Sequence, residues 1–99
     1  MKPYRLTPAA ADDIFEIWRF VASDNPAAAD LLEADIFAAC QKLADRPGLG
    51  HLRRDLTNRP VCFLAVRANY LIVYDPGMEP LAIIRVLHGA RDAAAELGD

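Results

Sequence analysis

The spacing of apolar positions follows a strand period at the start of the chain and then changes to a helical period. Residues 4–6 show a short strand-like alternation. Thr7 and Pro8 then predict a helix start, because threonine caps a helix and a first-turn proline lacks only an N–H that would be unpaired anyway. A buried stripe at helical spacing follows. It comprises Ile14, Ile17, Trp18 and Val21.

A second helix is predicted from Pro26 to about Asp45. Asn25 and Pro26 repeat the cap-and-proline signal, so the first helix ends there and the next begins. The buried stripe of this helix comprises Leu32, Ile36, Ala39, Cys40 and Leu43. Phe37 lies beside this stripe and is interpreted as either a residue at the edge of the core or a partner contact. The short joint predicts an antiparallel helical hairpin.

The second half of the chain is predicted to be mostly strands. Residues 48–60 lack a clean period and are interpreted as a loop with at most one helical turn. Strands are predicted at residues 61–67, 70–74 and 81–87, followed by a helix at 90–97. Ala68 and Asn69 form the first connection, where asparagine is expected to supply the positive φ of a tight hairpin. Residues 75–77 form the second turn.

The element order β-α-α-β-β-β-α predicts a single α+β domain over residues 1–99. Strands joined by short turns are antiparallel neighbours, and the helical hairpin covers one face of their sheet. The other face is expected to stay open and to carry the functional residues. Arg85 is predicted to share a face with Ile83 and Leu87, and it then needs an exposed position or a carboxylate partner such as Asp75.

Composition narrows the class of protein. The chain has 99 residues, of which 54% are hydrophobic and 25% charged, so it fits one domain with an adequate core and not a disordered chain. A net charge of -3 argues against a broadly cationic nucleic-acid coat protein. No signal peptide or membrane span of about 20 apolar residues is recognisable, so we expect a soluble cytoplasmic protein.

The chain is not expected to hold a metal or another cofactor. Cys40 and Cys62 are interpreted as buried free thiols in a reducing compartment, and two cysteines with two scattered histidines do not make a zinc site. No nucleophile elbow or glycine-rich phosphate loop is present either. Whether the chain is an enzyme is therefore left open at this point.

Charge is distributed unevenly along the chain. Residues 1–45 carry four basic and eight acidic side chains, whereas residues 46–67 carry five arginines and one aspartate. Arginine binds carboxylates and phosphates in a bidentate, planar manner. The basic segment is interpreted either as a surface for an acidic partner or phosphate, or as an ordinary solvated loop. Its central arginines are Arg53, Arg54, Arg59 and Arg67.

Acid–base chemistry has few candidate residues. His88 and Arg91 are three positions apart, so a helical turn would place them on one side. An RNA-cleaving site needs a base, an acid and cations, and His88, Arg67, Arg85, Arg91 and Tyr74 could supply parts of it. The structural alternative is that His88 ends a strand and Arg91 pairs with a nearby carboxylate.

Several segments together resemble the RelE/ParE superfamily of type II toxin–antitoxin toxins, and the ParE branch most closely. The strand and helix at residues 4–18, the Asn25–Pro26 junction and residues 46–50 contribute to the resemblance. The most specific segments are residues 69–74 and 84–92. Their order and spacing extend the resemblance over nearly the whole chain.

The resemblance implies a small toxin that a cognate antitoxin neutralises. The antitoxin is often a ribbon-helix-helix (ParD-like) protein, and the toxin reaches operator DNA only indirectly, through this antitoxin. ParE-like toxins inhibit DNA gyrase, whereas RelE-like toxins cut mRNA on the ribosome. Net acidity and the incomplete catalytic set favour the ParE-like function. The alternatives are a RelE-like endoribonuclease, using His88, Arg85, Arg67 and Tyr74, and a degenerate member that only binds its antitoxin.

Two surfaces follow from this resemblance. The target is expected to contact Arg85, His88, Arg91 and Tyr74. An acidic, partly apolar antitoxin peptide is expected in the groove between hairpin and sheet. Its candidate contacts are Arg53, Arg54, Arg59 and Arg67.

Overall fold

The computed structural model describes residues 1–97, apart from the side chain of Arg91. Over this range the predicted α+β class is confirmed, with helices and strands in the predicted order and two short elements added after the helical hairpin. The elements are β1 (Tyr4–Leu6), α1 (Pro8–Ala22), α2 (Pro26–Asp45), a 3₁₀ turn (Pro47–Leu49), β2 (His51–Leu52), β3 (Cys62–Val66), β4 (Tyr70–Asp75), β5 (Leu81–His88) and α3 (Gly89–Leu97).

Both long helices begin at the predicted caps. The Thr7 hydroxyl accepts a hydrogen bond from the Ala10 N–H, and the Asn25 side chain accepts one from the Ala28 N–H, each at 3.1 Å. A proline follows each cap, as the sequence indicated. Thr7 also joins α1 to the sheet, because its N–H donates to the Ile83 carbonyl at 3.0 Å. The caps therefore fix both the start of α1 and its position beside β5.

The strands form one sheet in the order β1-β5-β4-β3-β2 over residues 1–97. The predicted antiparallel pairing of β3, β4 and β5 is confirmed. The sheet as a whole is mixed, because β1 pairs with β5 in parallel. The two-residue strand β2 was not predicted, since His51 and Leu52 are both exposed and give no alternation. It pairs with Cys62 and Phe63 at the outer edge of β3.

A β-bulge in β5 changes which residues share a face. The pairing shifts between Val73 and Tyr74, which lie opposite Arg85 and Ile83 respectively, so Ile84 is an extra residue. Ile83 is buried against the helical hairpin, whereas Ile84 and Val73 belong to the cluster on the other face. The prediction that Arg85 and Ile83 share a face is therefore wrong, because a one-residue insertion reverses the alternation.

The second face of the sheet is covered, which corrects the expectation of an open face. Helix α3 folds back over it and places Ala93 and Leu97 against the strands, where both are buried. Leu56, from the loop between β2 and β3, joins the same cluster. The helical hairpin covers the first face with a larger core that includes Ile14 and Ile36. Apolar side chains thus fill both sides of the sheet, and exposed functional surfaces must lie elsewhere.

Both cysteines are free thiols, as expected, but their environments differ. Cys40 is fully buried in the core under α2, whereas Cys62 on β3 is half-buried. Burial raises the pKa of the Cys40 thiol to about 12, because the thiolate would lose its hydration. The Cys40 thiol is therefore protonated and unreactive in the folded protein at neutral pH.

The raised pKa of Cys40 predicts a loss of stability at alkaline pH. Between the ordinary thiol value of 9.0 and about 12, the unfolded chain releases this proton while the folded chain keeps it. The free energy of unfolding therefore falls as pH rises through this window. Urea denaturation across the window should show a shallower decline for Cys40→Ala than for the wild type, with Cys62→Ala as the control. Equal slopes for Cys40→Ala and the wild type would contradict the assignment.

Candidate functional site

A groove of about 730 Å³ lies between α2 and β3. Its apolar lining comprises Ala38, Ala39, Leu49, Leu64, Ala65 and Val66. Its charged rim comprises Asp35, Lys42, Asp45, Arg46 and Arg67. The alanines of α2 are small and leave the space open, so the groove combines an apolar floor with charges of both signs around it.

The groove runs along an unpaired strand edge. Strand β2 covers only Cys62 and Phe63, so residues 64–66 of β3 have no strand on their outer side within the described chain. An edge of this kind offers backbone N–H and C=O groups to an incoming extended chain. The groove therefore suits a peptide that combines backbone pairing with apolar side chains.

Arg67 lies at one end of the groove, in the turn between β3 and β4. Its Nε and Nη2 donate to Oδ2 of Asp35 at 2.8 and 2.7 Å. Arg67 has a φ of +54°, the left-handed conformation that the sequence had suggested for Asn69. Both side chains are about half exposed, so the pair is accessible to a competing carboxylate and of small net stability.

The other arginines of the basic segment lie outside the groove. Arg53 donates two hydrogen bonds to Asp55, at 3.0 and 2.8 Å, and these lower the pKa of the Asp55 carboxyl. Arg54 donates to the Asn58 carbonyl at 2.9 Å, and Arg59 is exposed. The loop that carries them packs on the α3 side of the sheet. The structure therefore separates these three arginines from Arg67.

Arg85 is held by acidic side chains from two helices. Its Nε and Nη2 donate to Asp13 of α1 at 2.7 and 3.0 Å, and its Nη1 donates to Glu96 of α3 at 3.2 Å. Asp13 also accepts the Val86 N–H at 3.0 Å, just beyond the point where β1 ends. These contacts, the Asp13 hydrogen bonds above all, raise the pKa of Arg85 still further. Arg85 therefore pairs with Asp13 and Glu96, and not with Asp75, the partner that the sequence suggested.

Tyr74 is fully buried and binds the backbone. Its hydroxyl donates to the Pro47 carbonyl at 2.6 Å and accepts the Gly50 N–H at 2.9 Å. A Cβ at Gly50 would lie 2.5 Å from this hydroxyl, so the close approach requires glycine. Burial raises the pKa of Tyr74. The residue anchors the segment after α2 and presents no surface to a target or an RNA.

His88 is exposed at the end of β5, where its ring stacks on Tyr70 with centroids 5.0 Å apart. The two rings line a hollow of about 270 Å³ together with Glu16, Ile17 and Phe20 of α1. Arg91 belongs to α3, but its side chain lies outside the described residues. The described members of the predicted target-binding and ribonuclease sets, which are Arg67, Tyr74, Arg85 and His88, are thus distributed over several places and do not form one site.

Sequence reasoning missed Glu16 and Phe20 as surface candidates. A signal was available, because Phe15 and Phe20 fall outside the apolar stripe of α1 and are 56% and 79% exposed. No group of three His, Cys, Asp or Glu side chains among the described residues could hold a metal ion. No helix in the same range is long and apolar enough to cross a membrane.

Comparison with known proteins identifies the family. The family model for the ParE toxin of the type II toxin–antitoxin system parDE matches residues 4–93. The chain belongs to the ParE toxin family. Toxin ParE1 of Caulobacter vibrioides is 32% identical over 100 residues, covering 99% of this chain and 100% of that toxin. The predicted membership of the ParE branch is confirmed, and the RelE-like alternative is not favoured.

A solved structure shows the same fold. A chain of the chromosomal ParDE system from P. aeruginosa superposes with a TM-score of 0.72 at 20% sequence identity, covering 89% of this chain and 96% of that one. The family match extends from β1 into α3 and includes the groove, Arg85 and His88. As a ParE toxin of a type II system, this protein has an antitoxin as its partner.

Removal of the Asp13 carboxylate is predicted to destabilise this ParE-family toxin. Asp13→Ala leaves a largely buried guanidinium and the Val86 N–H without their main acceptor, which costs about 2–4 kcal/mol. Asp12→Ala, at the exposed neighbouring position, is the control. Urea denaturation measures both variants. A loss for Asp13→Ala no larger than that for Asp12→Ala would show that the network adds little.

Tyr74→Phe is predicted to lower stability without removing toxicity. The change leaves the Pro47 carbonyl and the Gly50 N–H without a partner, at a cost of about 1–3 kcal/mol. Tyr4→Phe, at a partly buried position of β1 outside both proposed surfaces, is the control. Denaturation gives the stability, and growth after induction gives the toxicity. Loss of toxicity in a folded Tyr74→Phe variant would contradict a purely structural role.

Proposed function

We propose that this ParE-family toxin inhibits DNA gyrase by binding it, and that a ParD-like antitoxin neutralises the toxin through the groove between α2 and β3. The observation that carries the proposal is this groove, with its apolar floor and unpaired strand edge, in a chain of the ParE family. Inhibition by contact is supported by the separation of Tyr74, Arg85 and His88, which leaves them unsuited to joint acid–base chemistry.

The groove has the chemistry of a site for an acidic, partly apolar peptide. Leu64 and Val66 offer apolar contacts, and the strand edge offers backbone hydrogen bonds. Arg46 and Arg67 supply cations at the rim, and a peptide carboxylate can replace Asp35 as the partner of Arg67. A disordered antitoxin segment would fold as it fills the groove.

The predicted arginine contacts take different positions in this proposal. Arg67 contacts the antitoxin in the groove itself. Arg53, Arg54 and Arg59 contact it only where the antitoxin chain continues past β2. The antitoxin has a ribbon-helix-helix portion that binds operator DNA, so the toxin reaches DNA only indirectly. Both proposed partners, gyrase and antitoxin, place the toxin in the cytoplasm.

Ala38→Glu is predicted to weaken antitoxin binding by about 10- to 100-fold, because it fills the groove and repels an acidic peptide. Ala11→Glu makes the same exchange at an exposed position of α1 and is the control. Calorimetric titration with the cognate antitoxin measures both. Equal affinities for Ala38→Glu and the wild type would place the antitoxin elsewhere.

The arginine contribution is measured with two double variants. Arg46→Glu with Arg67→Glu should weaken the complex and reduce its salt dependence more than Arg53→Glu with Arg54→Glu. A larger effect of the Arg53 and Arg54 substitutions would place the main antitoxin contact in the loop before β3 and not in the groove.

Gyrase inhibition is tested with purified components. The toxin should stop supercoiling and trap cleaved DNA with gyrase, and the antitoxin should reverse both effects. Normal supercoiling at saturating toxin would contradict the proposed target. New mRNA cleavage within A-site codons after induction would support the ribonuclease alternative, and absence of growth arrest would indicate a member that only binds its antitoxin.

A further inference from the structure

Helix α1 exposes two large aromatic side chains that the core does not use. Phe20 is 79% exposed and Phe15 is 56% exposed, and the Phe15 ring stacks on Trp18 with centroids 6.4 Å apart. Exposed aromatic rings on a rigid element are typical of protein–protein contact residues. This helix therefore presents an apolar contact surface to solvent.

The hollow beside Phe20 adds a specific chemistry to this surface. It is lined by Glu16, Ile17 and Phe20 of α1 and by the stacked rings of Tyr70 and His88. Aromatic rings attract a cation, and a carboxylate pairs with it. The apolar lining accommodates the methylene stem of a lysine or an arginine. The hollow therefore suits a cationic side chain.

Glu16 is already paired, but only at the surface. Its carboxylate accepts from Arg19 at 2.7 Å, and both side chains are more than half exposed. An exposed i, i+3 pair of this kind has little net stability, so an incoming cation can compete for the carboxylate. Tyr70 and His88 are the other titratable side chains that line the hollow.

The charge of the helical hairpin points to the same kind of partner. Residues 8–45 carry eight carboxylates against Arg19 and Lys42. A field of this sign attracts a basic surface. The hollow also shares no lining residue with the groove between α2 and β3. The hollow has Glu16 and no lysine or arginine among its lining residues, whereas the groove has three such cations beside two aspartates, so the two surfaces favour different partners.

We propose that the α1 aromatic face, defined by Glu16, Phe20, Tyr70 and His88, is the surface with which the toxin binds its target. The target presents a lysine or arginine flanked by apolar residues. This inference rests on the proposed toxin function and deepens it. An enzyme that holds DNA exposes such cations toward the phosphate backbone, and gyrase is an enzyme of this kind. His88 thereby keeps its predicted contact with the target.

Serine substitutions test the aromatic contribution. Phe20→Ser should raise the toxin concentration for half-inhibition of gyrase by about tenfold or more. It should also abolish growth arrest, while antitoxin affinity changes by less than about twofold. Met78→Ser is the control, because Met78 is 42% exposed in the turn at the other end of β4 and β5. Unchanged urea unfolding confirms that the variants are folded.

Charge reversal tests the cationic partner. Glu16→Lys should weaken gyrase inhibition by about tenfold, whereas Glu79→Lys, the same change in the β4–β5 turn, should not. Wild-type binding to gyrase should also weaken as salt increases. Full inhibition by Glu16→Lys would overturn the assignment of a basic partner.

Other outcomes separate this inference from the proposed function. Growth arrest and gyrase inhibition by Phe20→Ser at wild-type levels would overturn the α1 aromatic face alone. Self-association that Phe20→Ser abolishes with toxicity intact would also overturn it, since the face would then bind a second copy. If the wild type arrests growth without inhibiting gyrase, loss of arrest in Phe20→Ser still supports the face. A wild type that arrests nothing overturns both.

Discussion

The contact between Asp13 and Arg85 joins the three parts of the fold. Asp13 comes from α1, Arg85 from β5, and Glu96 of α3 completes the network. Asp13 also accepts the Val86 N–H, which would otherwise be unpaired beyond the end of β1. Both members of the pair are largely buried, so their hydrogen bonds compensate a desolvation cost that neither group could carry alone. The arrangement of both helical layers on the sheet depends on this contact.

Closure of both sheet faces determines where binding can occur. Arg85 is held by Asp13 and Glu96, and Tyr74 is buried on the face that the helical hairpin covers, so both residues are used in the structure and are largely withdrawn from solvent. The available surfaces are the outer edge of β3 and the exposed side of α1. The groove along β3 has Lys42, Arg46 and Arg67 beside Asp35 and Asp45, whereas the hollow on α1 has the carboxylate of Glu16. The two proposed binding surfaces therefore differ in charge as well as in position.

The elements that could be predicted from sequence are those fixed by local interactions. Thr7 and Asn25 cap helices through residues three positions away, and the alternation of a strand places Ile72 and Val73 of β4 on opposite faces. The bulge at Ile84 and the partner of Arg85 depend on pairing between distant segments, which local spacing does not contain. The left-handed turn residue is Arg67 and not Asn69, although asparagine has the stronger intrinsic preference.

For the candidate sites too, the sequence predicts what local spacing determines and not what depends on contacts between distant segments. Arg67 lies at the groove between hairpin and sheet, because it directly follows the edge strand. Arg53 and Arg54 belong to the same basic segment of the sequence as Arg67, but the packing of Leu56 takes their loop to the other side of the sheet. Phe20 shows the converse case: its position outside the apolar stripe was readable, but its place beside Tyr70 and His88 requires the fold. The proposed binding surfaces of this toxin therefore depend first on how the helices pack against the sheet, and only then on the charges along the chain.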